Sequence, residues 1–257
     1  MMIKLKTDEE IELLRENGTL VSKTLAEVGK HVAPGVTTLE LNNIAEQYIR
    51  DNGAEPAFLG YGGFPYTLCI SVNDVIVHGF ASDYRLQEGD IISVDCGTIY
   101  KGYYGDSAYT FAVGEVSSET KRLMDVTKES LYKGISRVIP GNRIGDISFE
   151  IQRFVEENGF SVVREMVGHG IGKGLHESPE VPNFGRRGQG KKLKEGMVIC
   201  IEPMVNAGTR SVQLHEDGWT LSTLDGANAA HYELMVAVRR GTPEVLSTFR
   251  YIENSDN

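Results

Sequence analysis

Several things are missing from this chain, and each absence narrows its role. No stretch approaches the ~20 consecutive apolar residues of a membrane span. The opening, MMIKLKTDEE, has no apolar centre of the kind a signal peptide needs, so export is not expected and a cytoplasmic protein is. Cysteine is scarce: Cys69, Cys96 and Cys200 are odd in number and form no CxxC pair, which fits neither a disulfide framework nor a sulfur-rich zinc site. Each lies among apolar neighbours and reads as a small core residue in a reducing compartment. Basic charge is short as well, with 26 Lys and Arg against 36 Asp and Glu and a formal net charge of −10. A nucleic-acid binder needs a basic face, so that class is excluded. The single basic cluster, GRRGQGKKLK from Gly185 to Lys194, reads as a solvated loop.

What is present is an ordinary globular composition, 40% hydrophobic and 24% charged over 257 residues, enough for one large core or two modest ones. Part of the chain is written twice. LAEVGKHVAPG (25–35) matches LYKGISRVIPG (131–141) at Leu, Val and the closing Pro-Gly. LNNIAEQYIRDNG (41–53) faces ISFEIQRFVEENG (147–159) with the same apolar spacing and the same Asn-Gly stop. Further on, LQEGDIISVDCG (86–97) matches LKEGMVICIEPM (193–204), which sets Asp95 against Glu202. Two copies of this size are too few for a solenoid. They predict one domain over 1–257, folded as two duplicated halves of roughly 10–113 and 114–239.

The apolar periods predict helices from Thr7, from Thr38 to Asn52, Ser118 to Val138 and Ile144 to Asn158. Glu10 stands where it would complete a capping box with Thr7. Strands are expected at 67–72, 74–79, 90–99, 103–113, 161–166, 196–204, 211–221 and 230–239. Strands and helices in both halves give an α+β sandwich, antiparallel sheet inside and helices outside.

Acids stand at odd places in these strands. Asp95 and Glu202 close apolar runs, Asp106 follows in CGTIYKGYYGDSAYTF, and Glu233 interrupts AHYELMVAV. With a turn centred on Tyr100-Lys101, Asp95 and Asp106 fall directly across a hairpin, where like charges are destabilising. Such a pair shares either a proton or a cation. Four acids are too many for a proton-sharing dyad, and a cation satisfies them all. GHGIGKGLHE adds His169 and His176 in a glycine-rich loop that matches no phosphate-binding pattern. One imidazole with four carboxylates is a hard ligand set suited to Mn, Fe(II), Co or Zn in an open catalytic site. Bridging carboxylates can hold two such ions about 3.5–4 Å apart, equipment that serves hydrolysis.

Asp95, Asp106, His169, Glu202 and Glu233, in that order, resemble the ligand set of the pita-bread metallopeptidases. MVGHGIGKGLHESPEVPNF (166–184), CISVNDVIVHGF (69–80), IEPMVNAG (201–208) and DGWTLSTLDG (217–226) closely resemble the motifs of type I methionine aminopeptidases. The resemblance runs from the first helix to about residue 247, with neither the N-terminal domain of prolidase-type relatives nor the insertion of type II enzymes. It implies the pita-bread fold and two divalent metal ions. It also implies removal of the initiator methionine from nascent proteins ahead of a small second residue. Carried over residue by residue, Asp95 chelates one ion, Asp106 and Glu233 bridge, and His169 and Glu202 complete the set. Glu202 doubles as general acid/base. His176 faces the scissile carbonyl or its oxyanion, and His78 positions the substrate backbone.

The family's methionine pocket corresponds here to Phe58, Tyr61, Phe64, Cys69, Leu175 and Trp219. Three positions depart from its usual pattern. Glu233 is followed by Leu234-Met235 instead of His-Thr, with His231 two residues before it. Phe58 stands where cysteine is frequent, and Leu175 where an aromatic residue is common. The partners implied are N-termini of nascent polypeptides, at the ribosome or away from it, acted on by a monomer that binds no nucleic acid or membrane. Two other readings stay open: an Xaa-Pro aminopeptidase on the same scaffold, and a metal-free binding or chaperone relative.

Overall fold

Thr7 opens the first helix as the spacing predicts. Its hydroxyl accepts the Glu10 N–H while the Glu10 carboxylate accepts the Thr7 N–H at 3.0 Å. The computed structural model describes residues 3–254, so residues 1, 2 and 255–257 of the expected 1–257 domain lie outside the described residues. Helix α1 (Asp8–Gly29) turns Ile11, Leu14, Val21, Leu25 and Val28 completely inward. Helix α2 (Thr38–Asp51) repeats the capping box with Thr37 and Glu40. Helix α3 (Ser118–Ile135) stops short of the expected Val138. Its last turn tightens, with Val138 N–H donating to Ile135 C=O, and Pro140 disfavours helical backbone at Ile139. Helix α4 (Ile144–Glu157) follows, and α5 (Arg250–Glu253) is a single turn near the end.

The two helical pairs are joined in the same way. Gly35 N–H donates to Leu86 C=O at 2.7 Å, and Gly141 N–H to Leu193 C=O at 3.1 Å. Both glycines adopt positive φ, +89° and +101°, which a side chain would resist. The backbone then pairs Thr37 with Arg85 in one half and Arg143 with Lys192 in the other.

In the first half, strand Ile91–Tyr100 is central, flanked by Leu68–Val72 and Tyr103–Ala112, with Glu55–Pro56 at one end. In the second half, Val198–Ile201 lies between Val167–Gly170 and Leu234–Ala237, with Glu177–Pro182 and Glu244–Val245 outermost. Helices α1 and α2 cover the first sheet through Leu25, Leu41, Ile49, Ile92 and Val94. Helices α3 and α4 cover the second through Leu123, Leu131, Ile151, Ile199 and Ile201. The sheets are inside and the helices outside. A backbone bridge joins the halves at Ala108 and Glu233, whose N–H donates to Ala108 C=O at 2.9 Å. Ser107 Oγ donates back to Glu233 C=O at 2.7 Å.

Several expected strands are broken or cut short. The run 196–204 divides into Val198–Ile201 and Met204–Asn206, because Pro203 has no N–H to continue a ladder. The run 211–221 is a hairpin, Val212–Leu214 against Leu221–Thr223, turning at Gly218 with φ +77°. The run 230–239 divides at Glu233, which pairs with the other half. Only Ser161–Val162 forms in 161–166. Part of the glycine-rich segment read as a loop is strand, Val167–Gly170, paired with Glu177–Pro182.

Candidate metal centre

Asp95 and Asp106 approach each other in a register different from the one expected. The turn centres on Lys101-Gly102, with φ +52° and +77°, the doubly positive pair of a tight two-residue hairpin. Tyr100 therefore faces Tyr103, Asp95 faces Ala108, and Asp106 faces Gly97. The two acids are diagonal neighbours on one face, not directly opposed, a spacing that leaves room between them. Gly97 keeps that face open; a Cβ there would meet Phe58 Cε1 at 2.6 Å.

The second half supplies the other acids from the ends of its strands. Glu202 follows Ile201 at the Pro203 break, its C=O accepting from Asn183 Nδ2 at 3.0 Å. Glu233 sits on the bridge between the halves. His169 stands on strand Val167–Gly170, Nε2 3.7 Å from Asp106 Oδ2 and 3.6 Å from Glu202 Oε1. Its Nδ1 lies 3.0 Å from Gly170 C=O, a contact that places the ring proton there and turns Nε2 as an acceptor toward the acids. The five residues expected as metal ligands converge.

Their electrostatics do not balance within the protein. Asp95 Oδ1, Asp106 Oδ1 and Glu233 Oε1 are buried without a hydrogen-bond partner. Among the described residues no lysine or arginine forms an ion pair with any of the four acids; the basic side chains near them are the His169 and His231 imidazoles, 3.6–3.9 Å from Asp106 and Glu202. Burial pushes the Asp95 carboxyl up to about 7. Burial, then the neighbouring carboxylates, holds Asp106, Glu202 and Glu233 well above the usual range. Burial draws His169 down to about 3, so its imidazole is neutral and able to act as a ligand. Orphaned oxygens on acids that burial discourages from ionising are the complement of a divalent cation, and the donor set fits one.

Beside the acids opens a cavity of about 240 Å³. Phe58, Tyr61, Phe64, Cys69, Leu175 and Trp219, the six expected pocket residues, all line it, together with His78 and His176. The Phe64 ring packs edge-on to Trp219 with centroids 5.2 Å apart. His176 packs edge-on to His169, centroids 4.5 Å apart, and its Nδ1 lies 2.9 Å from the Tyr61 hydroxyl. His78 holds a positive φ of +58°, a conformation that costs about 1–3 kcal/mol and recurs at functional sites.

Two further residues join the cluster: His231, which the sequence sets two positions before Glu233, and Cys200, which the sequence places in the core. His231 also lines the cavity, its buried Nε2 unpartnered and 3.9 Å from Glu202 Oε2. Cys200, read as a core residue, is fully buried, yet its Sγ, Asp106, His169 and Glu233 all offer ligand atoms within 4.8 Å of one another. A signal for it was present: Cys200 precedes Glu202 by two on a strand, hence on the same face.

This geometry defines a metal-dependent hydrolase. Residues 12–240 match metallopeptidase family M24. The methionine aminopeptidase of Clostridium acetobutylicum is 53% identical over 96% of this chain and 99% of its own length. That of Clostridium perfringens is 51% identical over 97% of this chain and 100% of its own. The crystal structure of methionine aminopeptidase from Rickettsia prowazekii superposes with a TM-score of 0.95 at 41% identity, covering 96% of this chain and 100% of that one. The chain belongs to metallopeptidase family M24, with the pita-bread fold, and within that family to the methionine aminopeptidases.

Proposed function

We propose that Asp95, Asp106, His169, Glu202 and Glu233 hold two divalent ions, and that the adjoining cavity receives the side chain of an N-terminal methionine. The activity is removal of the initiator methionine from nascent proteins with a small second residue, in the cytoplasm and by a monomer. The observation that carries the metal assignment is the set of four converging carboxylates, Asp106 and Glu233 buried and Asp95 and Glu202 partly so, with no lysine or arginine paired to them among the described residues. The matching Gly35–Leu86 and Gly141–Leu193 links support reading 10–113 and 114–239 as duplicated halves of one catalytic domain.

Bound divalent ions, Mn, Fe(II), Co or Zn, would supply Lewis acidity and lower the pKa of a water molecule. The protein's groups do the rest. Glu202, at the cavity wall, accepts the proton of the attacking water and delivers it to the leaving amine. Tyr61 O–H donating to His176 Nδ1 leaves the ring proton on Nε2, a donor for the carbonyl oxygen as it gains charge. Burial keeps both His176 and His78 below the usual histidine range, so both act as neutral hydrogen-bonding groups. His78 orients the substrate backbone. Phe58, Phe64, Leu175 and Trp219 enclose the apolar side chain, and Cys69 and Tyr61 complete the wall.

Purified protein reconstituted in parallel with Mn, Fe(II), Co and Zn should release methionine from Met-Ala-Ser and leave Ala-Pro-Ala intact. Glu202→Gln should lower kcat by at least ~100-fold while metal remains bound, as expected on losing a general acid/base. Cleavage of Ala-Pro-Ala alone would establish the Xaa-Pro reading. Protein that takes up no metal and is unaffected by Asp106→Asn would establish the binding-protein reading.

A further inference from the structure

The paired strands Val198–Ile201 and Leu234–Ala237 place Cys200 opposite Met235, directly beside Glu233. The Sγ atom, one oxygen each of Asp106 and Glu233, and a His169 ring nitrogen all lie within 4.8 Å of one another, and all four residues are buried. Atoms bound to one ion through bonds of ~2.0–2.3 Å lie up to roughly 4–4.6 Å apart, so the four are near enough to close on one ion with shifts of no more than a few tenths of an ångström to about an ångström. Two of the three carboxylate and imidazole partners are themselves incomplete: Asp106 Oδ1 and Glu233 Oε1 are buried and unpartnered. The other cysteines are placed differently. Cys96 alternates to the opposite face from Asp95 and packs with Leu68 and Val94 in the core under α2. Cys69 lines the cavity opposite Asp95 but stands outside the four-residue group.

Resting on the metal-centre assignment above, we propose that Cys200 Sγ is a further metal ligand, bound as thiolate to the ion it shares with Asp106, His169 and Glu233. On binding, the S–H bond breaks, its proton leaves to solvent, and the sulfur lone pair forms the S–metal bond. One sulfur in a shell otherwise of oxygen and nitrogen softens the site and shifts its preference toward Zn, Co and Fe(II) relative to Mn. A thiol that only donates a hydrogen bond to Glu233 would do neither.

The test uses the full chain loaded anaerobically with Co(II), with bound cobalt quantified by elemental analysis and the spectrum read for a near-ultraviolet sulfur-to-cobalt charge-transfer band. The band should appear in the wild type and be lost in Cys200→Ser. It should persist in the Cys69→Ser/Cys96→Ser double variant, where Cys200 is the sole thiol, which keeps the test decisive if Cys200→Ser fails to fold. Competition between Zn(II) and Mn(II) should show Zn(II) affinity falling at least tenfold in Cys200→Ser, with Mn(II) affinity changed less. Bound cobalt without the band would overturn the role of Cys200 and leave the metal centre standing. A band lost in the double variant but kept in Cys200→Ser would assign the sulfur elsewhere and overturn it too. Failure to bind any cobalt would overturn the metal centre itself, and this inference with it.

Discussion

Buried acid is neutralised in opposite ways at two places in this molecule. Glu150, on α4, is almost completely buried, and three arginines reach it: Arg137 at 2.9 Å, Arg153 at 2.9 Å and Arg187 at 2.7 Å. Burial alone would raise its pKa, but the hydrogen bond from Arg153 and the charges of Arg137, Arg153 and Arg187 bring it below the usual range. At the seam between the halves, Asp106 and Glu233 are as buried and Asp95 and Glu202 partly so. Among the described residues, the only basic side chains paired with any of the four are the imidazoles beside Asp106 and Glu202. Burial wins there, and all four are raised. The protein supplies arginines where a buried carboxylate is structural. Where it withholds them, the counter-charge comes from outside the chain.

The largest expected effect tests that contrast directly. Exhaustive chelation should abolish peptidase activity and also lower Tm. An ion present at 100 times its Kd contributes about 2.7 kcal/mol, or roughly 5–10 °C in a domain of this size. An unchanged Tm on stripping would mean that the acids need no ion. Next comes the arginine-paired cluster. Glu150→Gln should cost about 1–3 kcal/mol in urea unfolding, discounted because the arginine ends are half exposed, with activity of the metal-loaded enzyme unaltered. Loss of activity in that variant would blur the distinction between the clusters.

Acidity gives a subtler contrast. In metal-free protein the seam carboxyls have folded-state pKa values above their unfolded values, with Asp95 at about 7 against 3.8. Between those limits the folded state binds more protons than the unfolded one, so stability should fall as pH rises from about 4 to 7. Glu150, shifted downward, has the opposite sign: its contribution is present above the unfolded pKa and lost as pH falls through the folded one. Urea midpoints of stripped protein should therefore decline from pH 5 to pH 7.5, and bound metal should remove the decline. A flat profile without metal would contradict the arrangement. The smallest effect is expected at the cavity mouth. Tyr61→Phe removes the hydroxyl contact to His176 Nδ1, about 1 kcal/mol, and should lower kcat/KM about fivefold with metal content unchanged.

Much of this was legible before any coordinates. Thr7 with Glu10 and Ser118 marked helix starts, and the apolar spacing of α1 named its buried face. A misplaced acid in an apolar strand is visible in one dimension because alternation makes it conspicuous, which is how Asp95, Asp106 and Glu233 stood out. Register was harder. Nothing local separates a turn at Tyr100-Lys101 from one at Lys101-Gly102 except the ease with which glycine takes positive φ, and that one step changed which residue Asp95 faces. The strand break at Glu233 depends on its bridge to Ala108 across the halves, whereas the one at Glu202 follows from Pro203. Cys200 reads as core and the place of His231 stays open for a related reason: a buried cysteine or histidine has the same letters whether it packs against leucine or against carboxylates.

By itself the sequence determined where the four long helices and the central strands of the first half lie, the doubling of the pattern, and the residue types able to bind a hard cation, because hydrophobic period and ligand chemistry are properties of nearby residues. Only the tertiary structure decided that Asp95 meets Asp106 on a diagonal, that Glu233 crosses to Ala108, and that Cys200 joins them. Those outcomes depend on strand register and on how two halves dock, and both are set by packing summed over the whole chain.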